Sequence, residues 1–199
     1  QNNKRKEFAD ATNPDEKELF FDLNTFNYNV RYNVKETNNW EASFGIGGMQ
    51  QSNTNKGEEA LIPDYQFFDA GAFVFTQKTF NKNLTLAGGL RFDNRNVDAQ
   101  EMLEDTDVKF TKFNKNYSGI SGSLGLSYQL DKQSTIKLNL SRGFRAPNIA
   151  ELSSNGIHEG TFRYEIGDIN LKSEISHQID AAYFLNSDHI SFEFTPFVN

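Results

Sequence analysis

Three histidines, 27 acidic side chains and no cysteine set the chemistry open to these 199 residues. Neutral imidazole ligates zinc and haem iron alike. His158, followed by Glu159 and shortly by Arg163 and Tyr164, is where the residue types suit a ligand surface. One imidazole beside one carboxylate falls short of the four ligands that close a zinc site, so His158 is a candidate metal ligand and the plain alternative is a histidine in a solvated loop. His177 and His189 read as ordinary surface or lumen residues. The absence of cysteine excludes disulfides, thiolate metal sites and thiol nucleophiles. No Gly-x-Ser-x-Gly elbow, His-Glu-x-x-His pair or glycine-rich phosphate loop is present, so the residues point away from an enzyme. A net charge of −7 without a basic stripe argues against a nucleic-acid partner.

The elements that must position these residues are strands. Mean hydropathy is low at −0.65, yet aromatic residues make up 14% of the chain, which argues against disorder. No apolar run nears the roughly 18 residues of a membrane helix. The recurring period is two. Phe26, Tyr28, Val30, Tyr32 and Val34 form one apolar row, and Trp40, Ala42, Phe44 and Ile46 a second. Leu84 to Phe92, Ile120 to Leu130, Ile136 to Phe144, about Ser176 to Leu185, and Ile190 onward continue the series. The segment Tyr65 to Thr79 is apolar on both parities, so its face is open. About eight antiparallel, up-and-down strands result, with one short helical turn at Asn148 to Leu152, where Pro147 presets φ.

Short turns (36–39, 81–83, 131–134, 186–188) alternate with long polar excursions (50–63, 95–116, 145–173), which makes the two ends of the sheet unlike. Outer-membrane barrels have this asymmetry and soluble sandwiches lack it. Nine glycines inside the strand segments fit a curved, closely approached sheet. Residues 1–18 read as part of an extracellular loop, and residues 19–199 as a partial barrel whose last strand is still alternating at Asn199. The expected fold class is therefore all-β, a fragment of a transmembrane β-barrel contributing about eight strands of a larger one, apolar outward and wet inward. Its open first and last strands allow self-association. A small structural or adhesive outer-membrane barrel and a soluble β-sheet binding module are the competing readings.

From Tyr117 onward the sequence resembles the TonB-dependent outer-membrane receptors. The resemblance centres on Ser141-Arg142-Gly143-Phe144-Arg145-Ala146-Pro147-Asn148-Ile149-Ala150-Glu151-Leu152, a Phe-Arg-Ala-Pro box opening a long loop. Gly156 to Thr161, Arg163 to Gly167 and Leu171 to Glu174 continue it, and Leu61 to Tyr65 and Gly88 to Asp93 precede it. The resemblance implies a barrel of about 22 strands, with this chain supplying about a third and no plug domain among its residues. It further implies residence in the outer membrane of a Gram-negative bacterium, contact with outer-membrane lipid, and uptake of a small, scarce nutrient powered by the TonB complex acting on the plug. Haem receptors carry a second Asn-Pro-Asn-Leu box with a histidine between the two; here that box reads Asp168-Ile169-Asn170-Leu171 and the histidine is His158. Haem, an iron chelate or another metal species is thus the expected cargo, with no resident cofactor firmly implied. On this reading His158, Glu159, Arg163 and Tyr164 face the ligand. Phe144, Arg145, Ala146, Pro147, Asn148, Glu151, Leu152, Asn170, Leu171 and Glu174 organise the loop, with Arg145 satisfying loop carbonyls or pairing with Glu151.

Overall fold

The computed structural model describes residues 1–8, 17–158 and 163–199. Its main sheet is built from β1 (Asn2–Glu7), β2 (Leu19–Asn33), β3 (Trp40–Asn55), β4 (Tyr65–Phe80) and β5 (Leu84–Ala99), then β8 (Phe113–Gln129), β9 (Ser134–Arg145), β12 (Glu174–Asn186), β13 (Ser191–Phe194) and β14 (Phe197–Val198). Two small hairpins, β6 (Met102–Glu104) with β7 (Asp107–Phe110) and β10 (Asn155–His158) with β11 (Arg163–Ile166), rise from the long connections, as does the helix α1 (Ile149–Ser153). Among the described residues every pairing between these strands is antiparallel, and the main sheet runs β1-β2-β3-β4-β5-β8-β9-β12-β13, with β14 also on β12 and the two edges unjoined. Residues 2–7, read from sequence as loop, are a strand in register with β2 from Asn2↔Asn24 to Glu7↔Leu19.

Residues 34–39, 81–83, 130–133 and 187–190 turn the chain at one end of the sheet, and residues 8–18, 56–64, 100–112 and 146–173 connect strands at the other. The turns carry their own chemistry. Asn38 and Asn39 hold φ of 53° and 57°, and Thr37 and Trp40 exchange backbone hydrogen bonds across them. That is the two-residue type I′ loop whose twist matches the flanking strands. Asp131 Oδ1 accepts from the backbone N–H of Gln133 and Ser134 at 2.7 and 2.8 Å, closing another turn with a side chain.

Register assigns the faces. Val30, Ile46, Ala72, Phe92 and Ile120 lie side by side across β2, β3, β4, β5 and β8, and the four large ones are more than half exposed. On β4, whose face the sequence left open, Phe68 and Val74 point outward with this row, while Tyr65 and Phe67 are buried on the other side. The inward face is not uniformly wet. Its middle carries Ser121, Ser123, Asn139 and Ser141, but toward the long loops Tyr65, Phe67, Val97, Ala99, Phe113 and Tyr117 form a buried apolar cluster. The expectation of a polar lumen is corrected there, because the loops fold back and remove that stretch of wall from water.

Aromatic rings lie over strand glycines. A Cβ at Gly119 would stand 2.1 Å from the Phe144 ring, and one at Gly48 would stand 1.9 Å from the Asp69 carbonyl and 2.5 Å from the Tyr28 hydroxyl. Tyr28 crosses Gly48 to donate from its hydroxyl to the Asp69 carbonyl at 2.9 Å, linking β2 to β4 over β3. Glycine is required there for close approach rather than for φ. Gly48→Val should therefore lower stability by about 1–3 kcal/mol through overpacking. Urea unfolding of the detergent-solubilised receptor would read this as a lower midpoint at unchanged slope; an unchanged midpoint would refute the tie.

Candidate functional site

A five-residue helix is too short to persist alone, so α1 must be held by what surrounds it. Asn148 Oδ1 accepts from the Glu151 N–H at 2.9 Å, and a Glu151 carboxylate oxygen accepts from the Asn148 N–H at 2.9 Å, a reciprocal capping box. Pro147 thus precedes the cap rather than opening the first turn. Arg145, the last residue of β9, donates from Nη1 to both Glu151 oxygens at 2.9 Å. With Nε and Nη2 it also grips Glu174, the first residue of β12, at 2.9 and 2.6 Å. One guanidinium therefore joins the strand that enters the loop, the helix inside it and the strand that leaves it. Hydrogen bonds from Arg145 and, second, from the Asn148 N–H hold the Glu151 carboxyl below its ordinary value.

Fixed in this way, α1 turns Ile149 and Leu152, together with Ala146, onto the inward cluster of β4, β5 and β8. Phe144 and Ile169 pack against the same cluster. Asp168, Ile169, Asn170 and Leu171 bring the chain back: the Asp168 N–H donates to the Glu151 carbonyl at 2.8 Å, Asp168 Oδ1 accepts from the Asn170 N–H at 2.8 Å, and the Tyr117 hydroxyl donates to the Leu171 carbonyl at 3.2 Å. Three of the long connections, 56–64, 100–112 and 146–173, are stitched together by Asn155, whose N–H donates to the Leu61 carbonyl at 3.0 Å and whose side chain donates to the Lys109 carbonyl at 3.1 Å.

Two cavities flank this plug of side chains. One, about 270 Å³, is lined by Asp69, Arg91, Asp93, Arg95, Phe144 and Arg145 among others. Arg95 binds Asp69 through two bonds of 2.7 and 2.6 Å, and Arg91 Nε donates to both oxygens of Asp93 at 2.7 and 2.8 Å. The other, about 310 Å³, lies between the hairpins and is lined by Phe110, Phe113, Leu152, Ser154, Asn155 and Ile166 among others. Ser154 is buried there, and among the described residues its hydroxyl has no hydrogen-bond partner. Sequence reading missed the charged column, although Asp69, Arg91, Asp93 and Arg95 all share the inward parity of their strands.

The sequence-named ligand residues are brought only partly together. His158 ends β10 in register with Arg163, which opens β11. The Tyr164 hydroxyl donates to Asn155 Oδ1 at 2.7 Å, and Arg163 and Tyr164 are exposed. Glu159 lies outside the described residues. Among the described residues no group of three or more His, Cys, Asp or Glu side chains is set to hold a metal. His177 lies on β12 opposite Arg142, and His189 in a short turn, so neither joins His158 on the β10–β11 hairpin.

A family model described as TonB dependent receptor-like, beta-barrel matches residues 2–199. The chain belongs to that family. Its members are outer-membrane proteins of Gram-negative bacteria. A curated relative, the TonB-dependent heme receptor A of Haemophilus influenzae (strain 86-028NP), is 24% identical over 193 residues, covering 87% of this chain and 25% of the receptor. The chain thus spans about a quarter of that relative's length. Among solved structures, the copper transporter OprC superposes with a TM-score of 0.75 at 17% identity, covering 90% of this chain and 30% of OprC. The Serratia marcescens hemophore receptor HasR, solved in complex with its hemophore HasA and heme, gives 0.70 at 14%, covering 91% and 34%. These likenesses establish the fold as that of receptor barrels, and the relatives are transport receptors rather than enzymes.

Leu152 is 2% exposed, so Leu152→Ala should destabilise the docked loop by about 2–5 kcal/mol. The lowered pKa of Glu151, held down first by Arg145 and then by the Asn148 N–H, sets a pH dependence. The stabilisation is fully present above the ordinary carboxylate range and is lost as pH falls through the lower folded value. Hydrogen exchange at residues 149–154 should therefore quicken under acid beyond the intrinsic pH effect, and Arg145→Gln should remove that extra dependence; a pH response unaltered by the substitution would refute the clamp.

Proposed function

We propose that this chain is part of an outer-membrane receptor that imports a metal-bearing nutrient, haem foremost, powered by the TonB complex through a plug outside these residues. The observation that carries the membrane part is the oblique course of the outward apolar band. Along β2 and one residue past its end the band runs from Phe26 to Val34 and is centred on Val30, whose register row reaches Ile120 on β8. On β9 it is centred on Leu138, which pairs with Leu126 on β8, six residues nearer the short turns than Ile120. Six residues are about 20 Å along a strand, and the five strand steps between β2 and β9 about 24 Å. A band level with a bilayer then requires strands tilted by about 40°, within the range for membrane barrels. An exposed apolar surface this wide would aggregate in water. Trp40, Phe80, Tyr128 and Tyr183 line its border on the short-turn side, as an interfacial girdle does.

The long-loop end then faces the cell exterior, and the β10–β11 hairpin that ends in His158 stands there. The name of the Haemophilus relative favours haem over zinc or copper, and imidazole suits haem iron. In this reading the Phe-Arg-Ala-Pro box and Glu174 hold the loop while His158, Glu159, Arg163 and Tyr164 present the ligand surface.

Titrating the intact receptor with haemin should produce a Soret shift, and His158→Ala should weaken binding by about tenfold or more. An identical titration for the variant removes His158 from the site. Failure of the receptor to support growth on haemin as sole iron source in a strain lacking other haem receptors would remove haem as cargo.

A further inference from the structure

Arg142 and His177 face each other directly across β9 and β12 on the outward side of the sheet. The outward positions around them are apolar or bare: Leu90, Ile120, Gly122, Leu124, Leu140 and Ile179. Among the described residues neither has a carboxylate partner. Among the described residues the one side-chain hydrogen bond of Arg142 runs from Nη1 to the Ile120 carbonyl. A guanidinium directly opposite an imidazole offers hydrogen-bond donors from both strands to an anionic group. A chain with a net charge of −7 has no general excess of basic groups to explain the pair.

Position adds to chemistry. Arg142 stands two residues beyond Leu140, at the long-loop border of the apolar band on β9, where a guanidinium facing lipid costs little because it reaches the headgroup layer. Gly122 pairs with Arg142 and with Leu90, and a Cβ there would stand 2.7 Å from Leu90 Cδ2. The bare glycine leaves a groove of about 460 Å³, walled by aliphatic side chains and headed by Arg142 and His177.

We infer that this groove is a binding site for one phosphorylated lipid of the outer leaflet, its phosphate between Arg142 and His177 and the first part of an acyl chain against Leu124, Leu140 and Ile179. The inference rests on the membrane-spanning reading above. Charge complementarity selects a phosphate-bearing headgroup over a neutral one, and the groove's continuity with the lipid-facing band selects a membrane lipid over a free anion.

The test uses the whole receptor, purified in dodecyl maltoside, delipidated and titrated by native mass spectrometry with dioctanoyl phosphatidic acid or with neutral dioctanoylglycerol. Wild type should retain one phosphatidic acid about tenfold more tightly than the neutral lipid. The paired substitution Arg142→Gln with His177→Gln should erase that preference, while Arg142→Lys should keep most of it. Equal retention by the paired variant, no preference in wild type, or full competition by millimolar inorganic phosphate would each overturn the site. Flotation with phospholipid vesicles separates the two claims. A paired variant that floats but has lost its preference supports the site, one that floats and keeps it overturns the site alone, and a wild-type receptor that fails to float overturns the membrane reading itself.

Discussion

Pairing every spanning backbone group to its neighbour strand is the constraint from which the rest follows. In hydrocarbon no water satisfies an N–H or C=O, so a spanning sheet must carry an unbroken ladder. From β2 to β5 the register runs without a shift over more than a dozen residue pairs per strand pair. Side chains alternate with period two, so a slip of one residue would put Val30 and Ile46 inside and Asn29 and Gly47 outside. The ladder breaks where the sheet leaves that regime. Pairing of β8 with β9 stops at Gly122↔Arg142, and beyond it Phe144 swings over Gly119 and Arg145 turns to Glu151 and Glu174.

That departure marks a change in what holds the chain together. Along the strands, side chains need little from one another because backbone bonds and the surrounding apolar phase suffice. Past Arg145 the main ladder is left behind for the short β10–β11 hairpin, and the loop is docked by side chains: one guanidinium on two carboxylates, a capping box, and a small buried core under α1. Arg145 is half-exposed, so its ion pairs alone are weak, and its value lies in geometry that several partners share. Packing of Leu152 and Ile149 supplies the cohesion that the pairs direct.

Legibility follows the same division. The strands could be read because alternation encodes facing, and the short turns because Asn-Asn and Asp-Lys-Gln-Ser are turn chemistry. Where both parities are apolar, as at Phe73 to Phe75, alternation fails, and only register with Gly45 and Arg91 decides the face. The strand Asn2–Glu7 was invisible because it is polar on both faces and borrows its order from β2. The pairing of Arg145 with Glu151 was readable from six-residue spacing at a helix start. Its second partner, Glu174, lies 29 residues on and belongs to the site only through the strand pairing that brings β12 beside β9.

Apolar residues on the inward face show why a barrel reading from alternation alone is incomplete. Tyr65, Phe67, Phe113 and Tyr117 share the inward parity, which nearer the short turns carries serine and asparagine on β8 and β9 and Phe73 and Phe75 on β4. A lumen open along its whole length would expose four rings to water. Folding α1 over them removes that cost, so the same four rings that violate the polar-lumen rule specify where the loop must dock. The charged column of Asp69, Arg91, Asp93 and Arg95 begins beside this cap, with Arg95 stacked 5.0 Å over the Phe67 ring. The inward wall therefore passes from a dry, capped mouth to a paired-charge section within one strand width. The arginines it presents there are already paired, Arg95 with Asp69 and Arg91 with Asp93.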